Sequence, residues 1–454
     1  MNSFTPKKAF WLSVVLVLWT ASTAFAQPSK PLLQPITVHT ENPDPAPTPL
    51  VKKTGSSVPT TVDTVNTGLD AVNLPGYTGI LIEKLDGEVI KESYSNSTFN
   101  PASNVKLATA YAVLKTFGPD FRFSTGVWTD GQIDRHNGVL IGNLYVTGRD
   151  PVFTYENAVA VAHELNFLGI KQVTGDLIVT DNFVMNYSAS PQRSGSTLMT
   201  AMDSAKRPAA ANTAWQKYLV HSKNAGKVQG IPTVSFGGST YVQPVPTNVR
   251  LMFSHESPPM REILKVTLAY SNNFLSERLG DMVGGPYAVA RIVHTNANVP
   301  PQEFYLETAS GLGINRVTPG AMMKLLRALR KDLDKFDMTF TDIMPVAGID
   351  PGTLESRFDS PFSRGSLVGK TGTLGRTDGG VSSLCGEINT RKGKILFVIF
   401  NQRGNVNSFR AFQNSFVDLV QNYFGGAVPV KFDPTSLEAR MSKIRISYPI
   451  KYNE

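Results

Sequence analysis

The first ordered pattern along the chain is a pair of strands. In residues 78–85 the run Ile80-Leu81-Ile82 is followed by Asp86-Gly87, and residues 88–94 carry a second strand-like run, which predicts a hairpin closed by a two-residue turn. A helix is predicted next. Asn100 is placed to cap it, Pro101 suits its first position, and Val105, Leu107, Ala108, Ala110, Tyr111, Val113 and Leu114 leave it little polar face before Gly118. A helix apolar all round belongs in a core. Residues 138–249 mix strand-like runs (139–146 and 175–180) with one helix-like run (156–168), predicting an inserted α+β domain. Apolar residues three and four apart then predict helices over 260–283 and 319–333. Three β runs (367–369, 380–388 and 394–400) and a closing helix over 408–423 complete the pattern. The fold class expected is α+β: an antiparallel sheet with helices on its faces, carrying a smaller α+β insert.

The two ends read differently. Lys7 and Lys8, an apolar run over 9–19 and Ala24-Phe25-Ala26 follow the order of an export signal, so residues 1–26 are expected to be removed and the protein to act outside the cytoplasm, in the periplasm or beyond. The apolar run is shorter than the roughly 20 residues of a bilayer span, which makes an uncleaved anchor the weaker alternative. No later segment is apolar enough to span, so no transmembrane helix is expected in the mature chain. Residues 27–75 hold nine of the 30 prolines, the composition of an extended tether. At the far end Lys431, Arg440, Lys443, Arg445 and Lys451 make residues 425–454 basic without an amphipathic stripe, and a solvated tail is expected there.

Composition narrows the chemistry. A chain of 454 residues, 41% of them hydrophobic, is long enough for two globular domains. Its single cysteine, Cys385, rules out an intrachain disulfide, and its place in a β run with no spaced histidine partner suits a buried side chain better than a nucleophile. The formal net charge is +8, of which Lys7 and Lys8 supply two, leaving +6 on the mature chain. That weakly suits an anionic polymer. No basic run with interleaved aromatics is present, so nucleic acid is not expected as a partner. The histidines (His39, His136, His163, His221, His255 and His294) are scattered without a His-Glu-x-x-His pair, and neither a metal nor any other cofactor is expected.

The candidate chemistry starts at Ser103-Asn104-Val105-Lys106, the only Ser-x-x-Lys in the sequence. Three residues apart in the first turn of a buried helix, Ser103 and Lys106 share a face. The first amides of a helix lack internal acceptors, so the Ser103 N–H is free to meet a developing oxyanion at the positive end of the helix dipole. Serine needs a base, and Lys106 can be one if it is neutral, which burial near a second cation would favour; Lys370 is the candidate for that cation. Taken alone, the motif also describes a helix start whose lysine snorkels to solvent. Two further motifs shift the balance. Ser271-Asn272-Asn273 interrupts the apolar pattern of 260–283, and Lys370-Thr371-Gly372-Thr373 follows the strand-like Leu367-Val368. Lys53-Thr54-Gly55 and Ser222-Lys223-Asn224 are look-alikes without the right order and setting.

Ser-x-x-Lys, Ser-x-Asn and Lys-Thr-Gly in this order resemble the signature of penicillin-binding proteins and serine β-lactamases. Within them the chain most resembles the D-alanyl-D-alanine carboxypeptidase/endopeptidase family, the low-molecular-mass class C penicillin-binding proteins, over about residues 76–424. Asn100-Pro101-Ala102, Gly142-Asn143-Leu144-Tyr145-Val146, Gly175-Asp176-Leu177, His255-Glu256-Ser257-Pro258-Pro259, Ser310-Gly311-Leu312 and Asn315-Arg316-Val317-Thr318-Pro319 carry that likeness. The resemblance implies a penicillin-binding catalytic domain over 76–137 and 250–424, interrupted by the insert at 138–249. It implies that peptidoglycan stem peptides are substrates and β-lactam antibiotics covalent inhibitors. It makes Ser103 the acylated nucleophile, Lys106 its base, Ser271 a proton relay, Asn273 the holder of the peptide amide and Lys370 a source of positive field. Thr371 and Thr373 would bind the substrate carboxylate, with Gly372 between them and the Thr373 N–H completing the oxyanion hole. Asn272 stands where many members have Asp, Gly313 where Ser is common, and the insert is shorter than in long members.

Two other readings compete. A β-lactamase shares the three motifs but needs a deacylating base, and Ala162-His163-Glu164-Leu165-Asn166 has Ala162 in the place of that glutamate and lies before Ser271, not after it. A catalytically weak peptidoglycan-binding protein is disfavoured by three intact motifs.

Overall fold

The sheet is built from strands that are apolar on both faces. In the computed structural model, which describes residues 68–69, 71–224 and 226–449, five antiparallel strands run in the order Leu367–Leu374, Val381–Thr390, Gly393–Gln402, Tyr77–Lys84, Val89–Ser93. Successive side chains alternate between faces. Ile80, Ile82, Ile395, Phe397 and Ile399 are buried with Phe416, Val417 and Val420 of helix Val406–Tyr423. Leu81, Leu396, Val398 and Phe400 join the core that holds helices Val105–Phe117 and Pro319–Asp334. The fold is thus α+β, an antiparallel sheet covered by helices on both faces. The expected export signal, all but the last residues of the expected tether, and Lys451 lie outside the described residues. Leu69, inside the expected tether, is fully buried with the Val406–Tyr423 helix, so order begins before residue 76.

A second core, around Val127, Leu144, Val146, Leu165, Leu177 and Phe253, packs on a six-stranded sheet. Its order is Thr240–Val242, Leu177–Val179, Leu144–Thr147, Ser124–Thr129, Arg250–Glu256, Arg445–Ser447. The strands Ser124–Thr129 and Arg250–Glu256 pair with each other in this sheet, so it reaches beyond the expected limits of 138 and 249 at both ends. Three helices belong to this region, not one: Tyr155–Phe167, Pro191–Met202 and Ala209–His221. The Pro191–Met202 helix did carry a start signal, since Ser190 Oγ accepts from the Arg193 N–H at 3.2 Å with Pro191 following it. The expected single run over 139–146 is two strands in different sheets, Val139–Ile141 and Leu144–Thr147. They part at Gly142 (φ +141°), where an added Cβ would stand 2.5 Å from Gly131 Cα.

Two expected helices change at their ends or middle, and both changes fall at the candidate site. Asn100 does not cap the first helix. Ala102 takes φ +46°, the chain makes a 3-10 turn over Ala102–Asn104, and the α-helix proper is Val105–Phe117. The helix expected over 260–283 is two, Met260–Ala269 and Asn273–Met282, separated where Ser271 adopts φ +55°. Asn272 Oδ1 caps the second by accepting from the Leu275 N–H at 3.1 Å.

The basic end of the chain is not a solvated tail. Arg440 is 4% exposed and donates from Nη1 to Glu262 Oε2 at 2.8 Å, and Lys443 Nζ donates to Glu262 Oε1 at 2.6 Å. Arg445–Ser447 adds the sixth strand to the second sheet. Both charges are consumed by a buried acid on helix Met260–Ala269, an arrangement that basic composition alone does not reveal. Among the described residues no helix is long and apolar enough to cross a membrane.

Candidate active site

Ser103 lies in the 3-10 turn ahead of the buried helix, and Lys106 follows one turn later with 1% exposure. Lys106 Nζ is 3.0 Å from Ser103 Oγ, 2.7 Å from Asn273 Oδ1 and 2.6 Å from the Ser310 carbonyl. The two shorter contacts go to carbonyl oxygens, which only accept. A neutral amine has two N–H donors and one lone pair, so with both donors committed the lone pair is left for the Ser103 O–H. Burial lowers Lys106 to about 7, while the Glu277 carboxylate pulls in the opposite direction. Glu277 escaped the sequence reading. It sits four residues after Asn273 on the same helix face and accepts from the backbone N–H groups of Ala309 and Ser310 at 3.1 and 3.0 Å, fixing the loop that carries the Ser310 carbonyl.

Ser271 and Lys370 form a second contact pair behind the first. Lys370 Nζ donates to Ser271 Oγ at 2.9 Å and to the Thr371 carbonyl at 2.7 Å. Lys370 is fully buried, and burial first, then the charge of Lys106, holds its amine well below the ordinary lysine range. The left-handed turn at Ser271 leaves its hydroxyl within reach of the strand that bears Lys370.

That strand, Leu367–Leu374, presses Thr371-Gly372-Thr373 against the start of the nucleophile's helix. A Cβ added at Gly372 would lie 2.2 Å from Ser383 Oγ, 2.7 Å from the Pro101 carbonyl and 2.9 Å from the Ser103 amide nitrogen. Only glycine permits this approach. Thr371 and Thr373 line a cleft of about 660 Å³ together with Ser103, Ser271 and Asn273. Thr373 Oγ1 accepts from Arg410 Nη2 at 3.0 Å. Arg410 and Arg357 also line the cleft, and neither belongs to a motif that the sequence displays.

The remaining expectations can be located. Cys385 is fully buried opposite Lys370, its Sγ accepts from Asn104 Nδ2 at 3.1 Å, and burial raises its thiol pKa. Ser222-Lys223-Asn224 lies in the turn after helix Ala209–His221, while Lys53-Thr54-Gly55 is outside the described residues. Ala162 is fully buried in helix Tyr155–Phe167. Asn100 Nδ2 donates to the Gly313 carbonyl at 2.9 Å and to Asp378 Oδ2 at 2.8 Å, and Arg316 pairs with that same Asp378. These bonds tie the segment before Ser103 to the Ser310–Arg316 loop. Among the described residues no cluster of His, Cys, Asp and Glu is arranged to hold a metal.

A serine hydroxyl facing a buried amine at a helix start, beside an open cleft, defines a serine acyl-transfer enzyme. A family model for the D-Ala-D-Ala carboxypeptidase 3 (S13) family matches residues 70–235 and 223–423, and the chain belongs to that family. It is a serine-type D-alanyl-D-alanine carboxypeptidase. D-alanyl-D-alanine carboxypeptidase DacB of Haemophilus influenzae is 24% identical over 424 residues, spanning 71% of this chain and 84% of the relative. A D-alanyl-D-alanine carboxypeptidase of an Actinomadura species is 23% identical over 449 residues, spanning 77% and 82%. The fold is shared with the penicillin G-acylated predatory endopeptidase from Bdellovibrio bacteriovorus, at TM-score 0.67 and 19% identity over 82% of this chain and all of that one.

Proposed function

We propose that Ser103 is the nucleophile and Lys106 its base. The observation that carries the assignment is the 3.0 Å approach of a buried, neutralisable amine to the Ser103 hydroxyl. Lys106 takes the Ser103 proton as Oγ attacks the penultimate D-alanine carbonyl of a stem peptide. The Ser103 and Thr373 amides receive the oxyanion. As the intermediate collapses, Ser271 relays to the leaving amine the proton that Lys106 took from Ser103, which returns Lys106 to its neutral form, while Lys370 holds the Ser271 hydroxyl. Asn273 holds the peptide amide, and the Thr371 and Thr373 hydroxyls hold the carboxylate of the leaving residue. A carboxylate arriving there favours the charged form of Lys370, which then supplies the positive field that burial opposes in the empty site. Water, with its proton taken by Lys106, releases the ester. β-Lactams acylate the same hydroxyl. Export through residues 1–26 brings the enzyme to its cell-wall substrate in the periplasm, and the region around 138–249 is a distinct domain inserted into the catalytic one.

Hydrolysis of a stem pentapeptide and of a cross-linked peptide dimer by wild type and Ser103→Ala tests this reading. Both activities vanish together if one acyl-enzyme serves them, and survival of either in the variant contradicts the assignment.

A further inference from the structure

Among the described residues, two guanidinium groups, those of Arg357 and Arg410, line the catalytic cleft without a countercharge. Arg410 reaches Thr373. Arg357 donates from Nε and Nη2 to Asn414 Oδ1 at 3.0 and 2.7 Å, and from Nη2 to Gln413 Oε1 at 3.1 Å. Gln413 is itself fully buried and donates to Ser382 Oγ at 3.2 Å and Asn401 Oδ1 at 2.9 Å. Arg357 is therefore anchored on neutral amides that are fixed beneath it, and among the described residues its Nη1 makes no hydrogen bond. Neither arginine pairs with a carboxylate among the described residues, and no residue lining the cleft is acidic. Burial, and secondarily the charge of Arg410, lowers Arg357 to about 10, which means that the two cations are held at a cost to each other.

The wall is also pre-set. The loop bearing Arg357 is pinned by Asp350, which accepts from the buried Lys265 Nζ at 2.6 Å, and by the Thr353 N–H, which donates to the Ala269 carbonyl at 3.0 Å. Lys265 and Ala269 belong to helix Met260–Ala269, which leads directly into Ser271. Arg357 and the nucleophile's partners are thus braced by one element.

The α-carboxylate of the leaving residue falls to Thr371 and Thr373 under the function proposed above, on which this inference rests. Arg410 adds to that position through Thr373. Asn414, which holds Arg357, follows Arg410 by one helical turn. A second uncompensated guanidinium is more than one carboxylate requires. We propose that Arg357, with Arg410, forms an anion subsite on the leaving-group side of the cleft that favours a leaving residue with a second carboxylate, as a diamino-dicarboxylic residue has, over D-alanine. The site thereby leans towards releasing a leaving residue that ends its own peptide with that second carboxylate free, rather than towards trimming D-alanine.

Three synthetic substrates with one acyl half test this. Their leaving residues are D-alanine, diaminopimelate with both carboxylates free, and diaminopimelate with the carboxylate distant from the scissile amide converted to an amide. In wild type, kcat/KM for the dicarboxylate exceeds that of the other two by about tenfold, mainly through KM, as expected for one charge-assisted contact at a partly open site. Arg357→Gln reduces that ratio towards one, and Arg357→Lys restores part of it. Equal rates for the dicarboxylate and its amide in wild type overturn the proposal, and this comparison needs no variant to fold. Equal loss on all three substrates in Arg357→Gln also overturns it, leaving the arginine a structural anchor. If Ser103→Ala still hydrolyses these substrates, the underlying reading of the site fails; if it is inactive and wild type shows no preference, only the anion subsite fails.

Discussion

Lys106 Nζ and Ser103 Oγ stand 3.0 Å apart, one helical turn from each other, with the amine's two shorter contacts spent on oxygens that cannot donate. Under the proposed function this geometry makes Lys106 the acceptor of the Ser103 proton and its protonation state the gate to acylation. Its pKa, lowered to about 7 by burial, sets the sign. The neutral base is scarce below that value and grows as pH rises. Acylation by benzylpenicillin accordingly climbs about tenfold per pH unit below 7 and levels off above it. Rates followed by mass spectrometry from pH 5 to 9 check this, and a flat profile contradicts it. In Lys106→Ala the adduct does not form on the same time scale.

Thr371→Ala separates carboxylate recognition from chemistry. kcat/KM falls by about tenfold or more on peptides ending in a free carboxylate and much less on their C-terminal amides if, as proposed, the lost hydroxyl serves the carboxylate alone. Equal losses on both would remove Thr371 from that role.

Gly372→Ala tests the close approach of strand and helix. The added methyl meets Ser383 Oγ, the Pro101 carbonyl and the Ser103 amide, so the strand must withdraw from the nucleophile. A misplacement of about 1 Å costs on the order of a hundredfold in rate. We expect kcat/KM to fall by about that factor while cooperative unfolding is retained. Near wild-type activity would show that the contact is dispensable.

Much of this was legible in the sequence, for local reasons. The apolar runs at Ile80-Leu81-Ile82 and 394–400 fix a period of two on a sheet buried on both faces, and Ser103, Lys106, Ser271 and Lys370 lie in short motifs whose order survives without any structure. What was not legible depends on contacts distant in sequence. The apolar spacing of 260–283 resumes beyond the polar Ser271-Asn272-Asn273, so the pattern predicts one helix, and only the left-handed residue at φ +55° divides it. Glu277, Arg357 and Arg410 carry no motif, since their meaning comes from the Ser310 loop, from Gln413 and from Thr373. Arg440 reads as a solvated basic residue until Glu262 is brought beside it.

Arg440→Ala measures how firmly the C-terminal segment belongs to the fold. It leaves Glu262, 3% exposed, with Lys443 as its remaining charge partner. Breaking a buried pair costs about 3 kcal/mol at the low end of the usual range, and the surviving lysine keeps the loss near that end. Denaturant unfolding should show a lower midpoint with an unchanged slope. No change in midpoint would mean that the segment is attached without contributing stability.

The central claim is that Ser103 forms the acyl-enzyme. Intact mass of the mature protein, wild type beside Ser103→Ala, after incubation with benzylpenicillin and at intervals after its removal, tests it most directly. The account predicts one persistent adduct on wild type and none on the variant. An adduct on Ser103→Ala, or none on either protein, would contradict it; rapid loss of the wild-type adduct with release of hydrolysed drug would instead make the enzyme a β-lactamase.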